Sequence, residues 1–154
     1  MCLVTVGGIT IPDLREIDFV FFDIGGTLGE RDATTGDFVP FPSSAGLLKA
    51  MRDLGLRVGI ITTLGTQLTN ADVLALLKKA GLNQFLDPAG FISDHDAGMA
   101  KPNLEIYLFA AQRVGVSPGG CLFVGENLIE VIGAVAAGMK AILKPCPPGR
   151  DLPS

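Results

Sequence analysis

The sequence predicts an α/β protein built on a parallel, doubly wound sheet. Three observations point to it. Phe19, Val20, Phe21 and Phe22 form an unbroken apolar run that ends on Asp23 and the pair Gly25-Gly26. Short apolar runs recur at 57–61, 91–93, 121–124 and 140–143. Amphipathic segments of helical length lie between them. Strands alternating with such helices imply right-handed βαβ units on one parallel sheet, and continuous apolar runs suit strands covered on both faces.

Each element has its own signal. Residues 3–11 carry Val and Thr around Gly7-Gly8 and read as a short hairpin at a sheet edge, closed by Pro12. Together, 1–16 form an extension before the first core strand. The polar stretch 29–42 reads as a loop or small flap. Ser43 or Ser44 can cap a helix reaching Leu54, with Leu47, Leu48, Met51 and Leu54 on its apolar face and Gly55 as its stop. The second strand, 57–61, leads to Thr62. Thr69 can cap a helix burying Val73, Leu76, Leu77 and Ala80, and Gly81 follows it. After a third strand at 91–93, residues 94–100 read as a loop. Asn103 can cap a helix burying Ile106, Phe109, Ala110 and Val114. The fourth strand runs into Gly125-Glu126-Asn127. A small-residue helix at about 129–137, able to lie close to the sheet, precedes the fifth strand. Pro145, Pro147 and Pro148 make 145–154 an extended, non-helical tail.

The 154 residues suit a single domain, burying about 68–70% of the unfolded surface. A hydrophobic fraction of 48% and a mean hydropathy of +0.45 argue against extensive disorder. The net charge of −4 gives no broad basic footprint, so no nucleic-acid partner is expected. No window reaches the length of a membrane span. Cys2, Cys121 and Cys146 lack C-x-x-C spacing and suit free thiols in a reducing compartment. With no basic segment followed by a long apolar run at the N-terminus, a cytoplasmic location is the expectation.

Asp23, Thr62, Lys101 and Glu126 each fall at or just beyond the carboxyl end of an expected strand, and those ends share one rim of a doubly wound sheet. Each has a bland alternative alone: a turn or helix cap for Asp23, Thr62 and Glu126, a solvated surface charge for Lys101. Together they fit a metal-assisted phosphate site. Asp23 would attack phosphorus, Thr62 would donate a hydrogen bond and Lys101 would offset charge. Asp23 and Glu126 would hold Mg²⁺ through oxygen.

The chain resembles the haloacid dehalogenase superfamily of phosphatases and related enzymes over nearly all of 17–144. Phe21-Phe22-Asp23-Ile24-Gly25-Gly26-Thr27-Leu28 is similar to its first motif and Ile60-Ile61-Thr62 to its second. Gly98-Met99-Ala100-Lys101-Pro102 is similar to the third. Gly125-Glu126-Asn127-Leu128-Ile129-Glu130 is similar to the fourth. The resemblance implies a three-layer Rossmann-like core with five parallel strands in the order 5-4-1-2-3. It implies catalysis by Asp23, Thr62 and Lys101, and Mg²⁺ held by Asp23, the carbonyl of Gly25 and Glu126. Glu130 and Asn127 would stand behind those ligands.

Two positions depart from the family pattern. Gly25 stands where a second Asp usually serves as general acid and base, a role worth about 10²–10⁴-fold. Glu126 and Glu130 replace Asp in the fourth motif, each longer by about 1.5 Å. His95, Glu30 and Asp32 are candidate substitutes for the missing proton donor. The intervals between Asp23, Thr62 and Lys101 are already filled by one helix each plus short segments, which leaves no room for an inserted cap domain. An open site suits a phosphorylated small molecule or a bulky phosphorylated substrate, or one covered by a neighbouring subunit in an oligomer. The main alternative is a degenerate site in a binding or regulatory protein. Asp23-Ile24-Gly25-Gly26-Thr27 also resembles the phosphate motif of sugar kinases with the actin-like ATPase fold, but those chains are far longer and match nothing later here. A response-regulator receiver places its acceptor Asp after the third strand, not the first.

Overall fold

The computed structural model describes residues 3–6, 9–12 and 14–144. Its centre is a five-stranded parallel sheet of β3 (Phe19–Phe22), β6 (Arg57–Thr62), β7 (Phe91–Ser93), β8 (Cys121–Gly125) and β9 (Lys140–Leu143). The strand order is β7-β6-β3-β8-β9, the order expected for the five core strands. The labels run higher because two short hairpins add strands. The pair β1 (Leu3–Val6) and β2 (Ile9–Pro12) is antiparallel and forms a sheet of its own. The Gly7-Gly8 turn and the proline-rich tail lie outside the described residues. The second hairpin, β4 (Gly29–Arg31) with β5 (Phe38–Pro40), forms within the stretch 29–42 expected as a loop or small flap.

Alternation along β3 builds both faces of the sheet. Phe19 and Phe21 point into one core, with Ile61, Phe123 and the buried sides of α4 (Leu104–Val114) and α5 (Leu128–Ala136). Val20 and Phe22 point into the other, with Val58, Ile60, Val124, Leu48 of α1 (Ser44–Asp53) and Leu77 of α2 (Asn70–Lys79). All four residues of β3 are at most 1% exposed, as a central strand covered by helices on both faces requires.

The helix signals hold in part. Thr69 makes a reciprocal capping box with Asp72, and the Asn103 side chain accepts from the Glu105 N–H. Ser43 occupies the N-cap of α1 without a side-chain bond. The neighbouring Ser44 hydroxyl instead donates to the Leu28 carbonyl at 2.6 Å, tying α1 to the turn after β3. Leu54, expected on the buried face, is 64% exposed, because it stands at the C-cap where the chain already turns. Phe109 is only half-buried, lying under the Arg113 guanidinium, while Tyr107 and Ala111 are buried. The expected loop at 94–100 begins as a short helix, α3 (Asp94–Ala97), closed by a capping box between Ser93 and Asp96. Helix α5 packs against β8 and β9, as its small residues lead one to expect, and it also meets α4 and the loop before it. A Cβ on Gly133 would sit 2.5 Å from the Pro102 carbonyl and 3.1 Å from the Tyr107 ring. Among the described residues no helix is long and apolar enough to cross a membrane.

Candidate active site

Strand register collects the rim residues. Phe22 pairs with Ile60 on one side and Val124 on the other, so Asp23, Thr62 and Glu126 leave three adjacent strands within two residues of those pairs. The Asp23 N–H still donates to the Val124 carbonyl at 2.9 Å, which holds it at the end of the sheet.

Lys101 reaches the same place from the loop before α4. Its ammonium donates to Asp23 Oδ1 at 2.6 Å and Glu130 Oε2 at 3.0 Å, with the Lys101 side chain 2% exposed. It also lies 5.6 Å from the centre of the Phe123 ring. The solvated reading of Lys101 is therefore wrong: burial without partners would be prohibitive, and two carboxylates supply them. The Lys101 N–H donates to Thr63 Oγ1 at 3.2 Å, linking this loop to the end of β6. Thr62 itself is buried.

Glu130, expected to stand behind metal ligands, accepts from the lysine that also bonds Asp23. Burial raises its pKa; Lys101 opposes that, and the charges of Asp23 and Glu126 add to it. Its carbonyl accepts from the Tyr107 hydroxyl at 2.7 Å. The Tyr107 phenol is pushed up by burial and by the negative Glu130 and Asp23. Tyr107 is a support of the site that the sequence reading missed. Its position one turn after the Asn103 cap was the available signal.

The glycine pair divides its work. Gly26 has φ +77°, and a Cβ there would lie 2.7 Å from Glu126 Oε1, so the Glu126 carboxylate lies directly over this turn. Gly25 is exposed, with nothing within 4 Å of a would-be Cβ. The Thr27 hydroxyl accepts from the Glu126 N–H at 3.1 Å and so braces β8 against the turn. Asn127 caps α5, its side-chain oxygen accepting from the N–H groups of Ile129 and Glu130.

The three candidate proton donors fare differently. The Asp32 carboxyl is held below its usual range by the N–H groups of Thr35 and Thr34 within its own loop. The ring of His95, on α3, meets the Gly65 carbonyl, and Asp94 accepts from the N–H groups of Leu64 and Gly65. Helix α3 thus braces the loop that follows Thr62, a support invisible while 94–100 read as a loop. Glu30 lies on β4, half-buried.

Among the described residues no three His, Cys, Asp or Glu side chains form a ready metal cage. Of the donors the sequence suggests, Asp23 and Glu126 bring two carboxylates to the ends of adjacent strands, and Gly25 lies in the turn that Glu126 overhangs. Mg²⁺ commonly takes one or two carboxylates and completes its shell with waters and substrate phosphate, so this set fits it.

Residues 30–138 match the family model described as haloacid dehalogenase-like hydrolase. The chain belongs to the haloacid dehalogenase-like hydrolases. As a member of that family it is 32% identical over 105 residues to the glyceraldehyde 3-phosphate phosphatase of Methanothermobacter thermautotrophicus, covering 68% of this chain and 44% of that protein. Its fold matches the solved HAD phosphatase of Thermococcus onnurineus with a TM-score of 0.61 and 30% identity, over 75% of this chain and 50% of that one. A protein from Listeria monocytogenes serotype 4b shares the fold over 89% of this chain and 85% of its own, with a TM-score of 0.75 at 22% identity. The chain spans less than half the length of the curated relatives it matches.

Proposed function

We propose that this haloacid dehalogenase-like hydrolase cleaves phosphate monoesters through an aspartyl-phosphate on Asp23. The observation that carries the reading is the buried Lys101 ammonium 2.6 Å from Asp23 Oδ1, with Thr62 at the end of the neighbouring strand. A carboxylate oriented by a fixed cation at the rim of the sheet can serve as a nucleophile toward a phosphoryl group held there. Phosphatases among the relatives support the reaction class.

In the first step an Asp23 oxygen bonds to phosphorus and the bond to the ester oxygen breaks, the leaving group keeping the electron pair. Thr62 donates a hydrogen bond to the transferring group and Lys101 offsets its charge. In the second step water attacks phosphorus, the bond to Asp23 breaks, and phosphate leaves. Mg²⁺, held by Asp23, the Gly25 carbonyl and Glu126, would neutralise part of the phosphoryl charge. With no acid at position 25, neither proton transfer has its usual agent. Turnover is therefore slow, and activated esters such as nitrophenyl phosphate outperform alkyl phosphates. The interval between Asp23 and Thr62 holds the β4–β5 hairpin, α1 and β6, which supports a site open to bulky substrates or to a covering neighbouring subunit.

Gly25 also favours a second reading, a phosphate-binding or regulatory protein that has lost turnover. Wild type, Asp23→Asn and Gly25→Asp assayed on nitrophenyl phosphate with Mg²⁺ separate the two. The reading expects activity in wild type, none in Asp23→Asn and a gain in Gly25→Asp. Equal inactivity in all three favours the binding protein.

A further inference from the structure

A cavity of about 160 Å³ opens directly beside the glycine turn. Its walls include Gly25 and Thr62 on the catalytic side and Leu64, Leu68 and Leu76 on the other. Leu64 and Leu68 come from the loop after β6, and Leu76 from α2. The hairpin supplies Phe38 and Arg31, and Arg31 is the one charged residue among the lining. The Arg31 side chain is partly committed, since its Nε donates to the Gly36 carbonyl at 2.9 Å.

We propose that this cavity receives the leaving group of the ester, and that the leaving group is an aryl ring. This deepens the phosphatase reading and rests on it. Size sets the first limit: an apolar cavity of about 150 Å³ accepts a benzene ring. Chemistry sets the second. A polyol such as glycerol would strip its hydroxyls of water against leucine side chains and lose their hydrogen bonds. Position sets the third, because Thr62 serves the phosphoryl group and lines the cavity, so an ester held there lays its organic part against Leu64, Leu68 and Leu76.

The absent side chain at position 25 joins these facts. Gly25 lacks a proton donor and lines the cavity with bare backbone, so one residue removes the acid and opens space for the ring. An aryl ester needs no acid there. Asp23 bonds to phosphorus, the phosphorus–oxygen bond breaks, and a phenolate leaves with the electron pair. Phenols have a pKa of about 10, as in tyrosine, far below that of an alkyl alcohol. The phenolate takes its proton from solvent.

The test separates binding from turnover by using phenylphosphonate and methylphosphonate, whose carbon–phosphorus bonds Asp23 does not cleave. Calorimetry on the full chain with Mg²⁺ gives both affinities in wild type, Leu76→Phe and Leu68→Gln. Both substituted leucines are half-buried, so neither change empties the core. The expected result is phenylphosphonate bound at least about tenfold tighter in wild type, with the gap closing in both variants. Equal affinities in wild type, a gap that survives both substitutions, or no binding of either phosphonate would overturn the proposal. Phenyl phosphate turnover is followed alongside. A ring preference without turnover sinks the reaction and keeps the cavity. Turnover without a ring preference does the reverse.

Discussion

Lys101 Nζ stands 2.6 Å from Asp23 Oδ1, joining residues from opposite halves of the chain, with the lysine side chain buried and the carboxylate mostly so. The pair fixes which way the carboxylate faces and sets a positive charge where phosphoryl oxygens would gather. Lys101→Met keeps the volume and removes the charge, leaving Asp23 and Glu130 close together and uncompensated. Removing one partner of a buried ion pair costs about 3–5 kcal/mol. Urea unfolding is expected to show a loss near the lower end, about 3 kcal/mol, because Asp23 and Glu130 keep 13% and 20% of their side-chain exposure. A loss below about 0.5 kcal/mol would mean the bridge holds nothing.

Gly26 and Gly25 are expected to respond oppositely to a single methyl group. Gly26→Ala meets a backbone at φ +77° and drives a Cβ into the Glu126 carboxylate. The left-handed conformation alone costs about 1–2 kcal/mol. Gly25→Ala meets nothing within 4 Å and should stay within about 0.5 kcal/mol of wild type. Thermal unfolding of the two variants checks the contrast. Mg²⁺ titration should show weakened binding in Gly26→Ala alone, because only that change displaces Glu126.

The parallel sheet was legible in the sequence because each core strand is a short, unbroken apolar run between helical periods. Asp23, Thr62, Lys101 and Glu126 could be placed on one rim because strand ends converge in any doubly wound sheet. What the sequence hid was side-chain reach. The Glu130 carboxylate turns inward to Lys101, and the Thr27 hydroxyl accepts from the Glu126 N–H. Both depend on rotamers and on the exact seat of α5, which no periodicity encodes. Helix α3 was missed because a one-turn helix has no apolar period, although Ser93 and Asp96 already spelled its capping box. The cavity beside Gly25 combines residues from β4, β5, β6 and α2, and only the folded chain brings them together.

Cys121 is fully buried, and burial pushes its thiol up from 9.0 to about 11, with the nearby Asp18 charge adding to the shift and Arg57 opposing it. The native state holds this proton more tightly than the unfolded chain. That contribution is fully present below pH 9.0 and is lost as pH rises toward about 11. In a Cys2→Ser/Cys146→Ser background the remaining thiol should resist a disulfide reagent at pH 8 and react at once in denaturant. Rapid labelling of the native protein would contradict the burial.

The central claim is that Asp23 carries the phosphoryl group. Phenyl phosphate and Mg²⁺ are mixed with the protein, the reaction is quenched in acid within a single turnover, and the peptide containing Asp23 is weighed by mass spectrometry. Slow second-step hydrolysis predicts that a phosphorylated peptide accumulates in wild type, disappears in Asp23→Asn and decays faster in Gly25→Asp. Phenol released at the same rate by wild type and Asp23→Asn, with no phosphorylated peptide at any time, would contradict it.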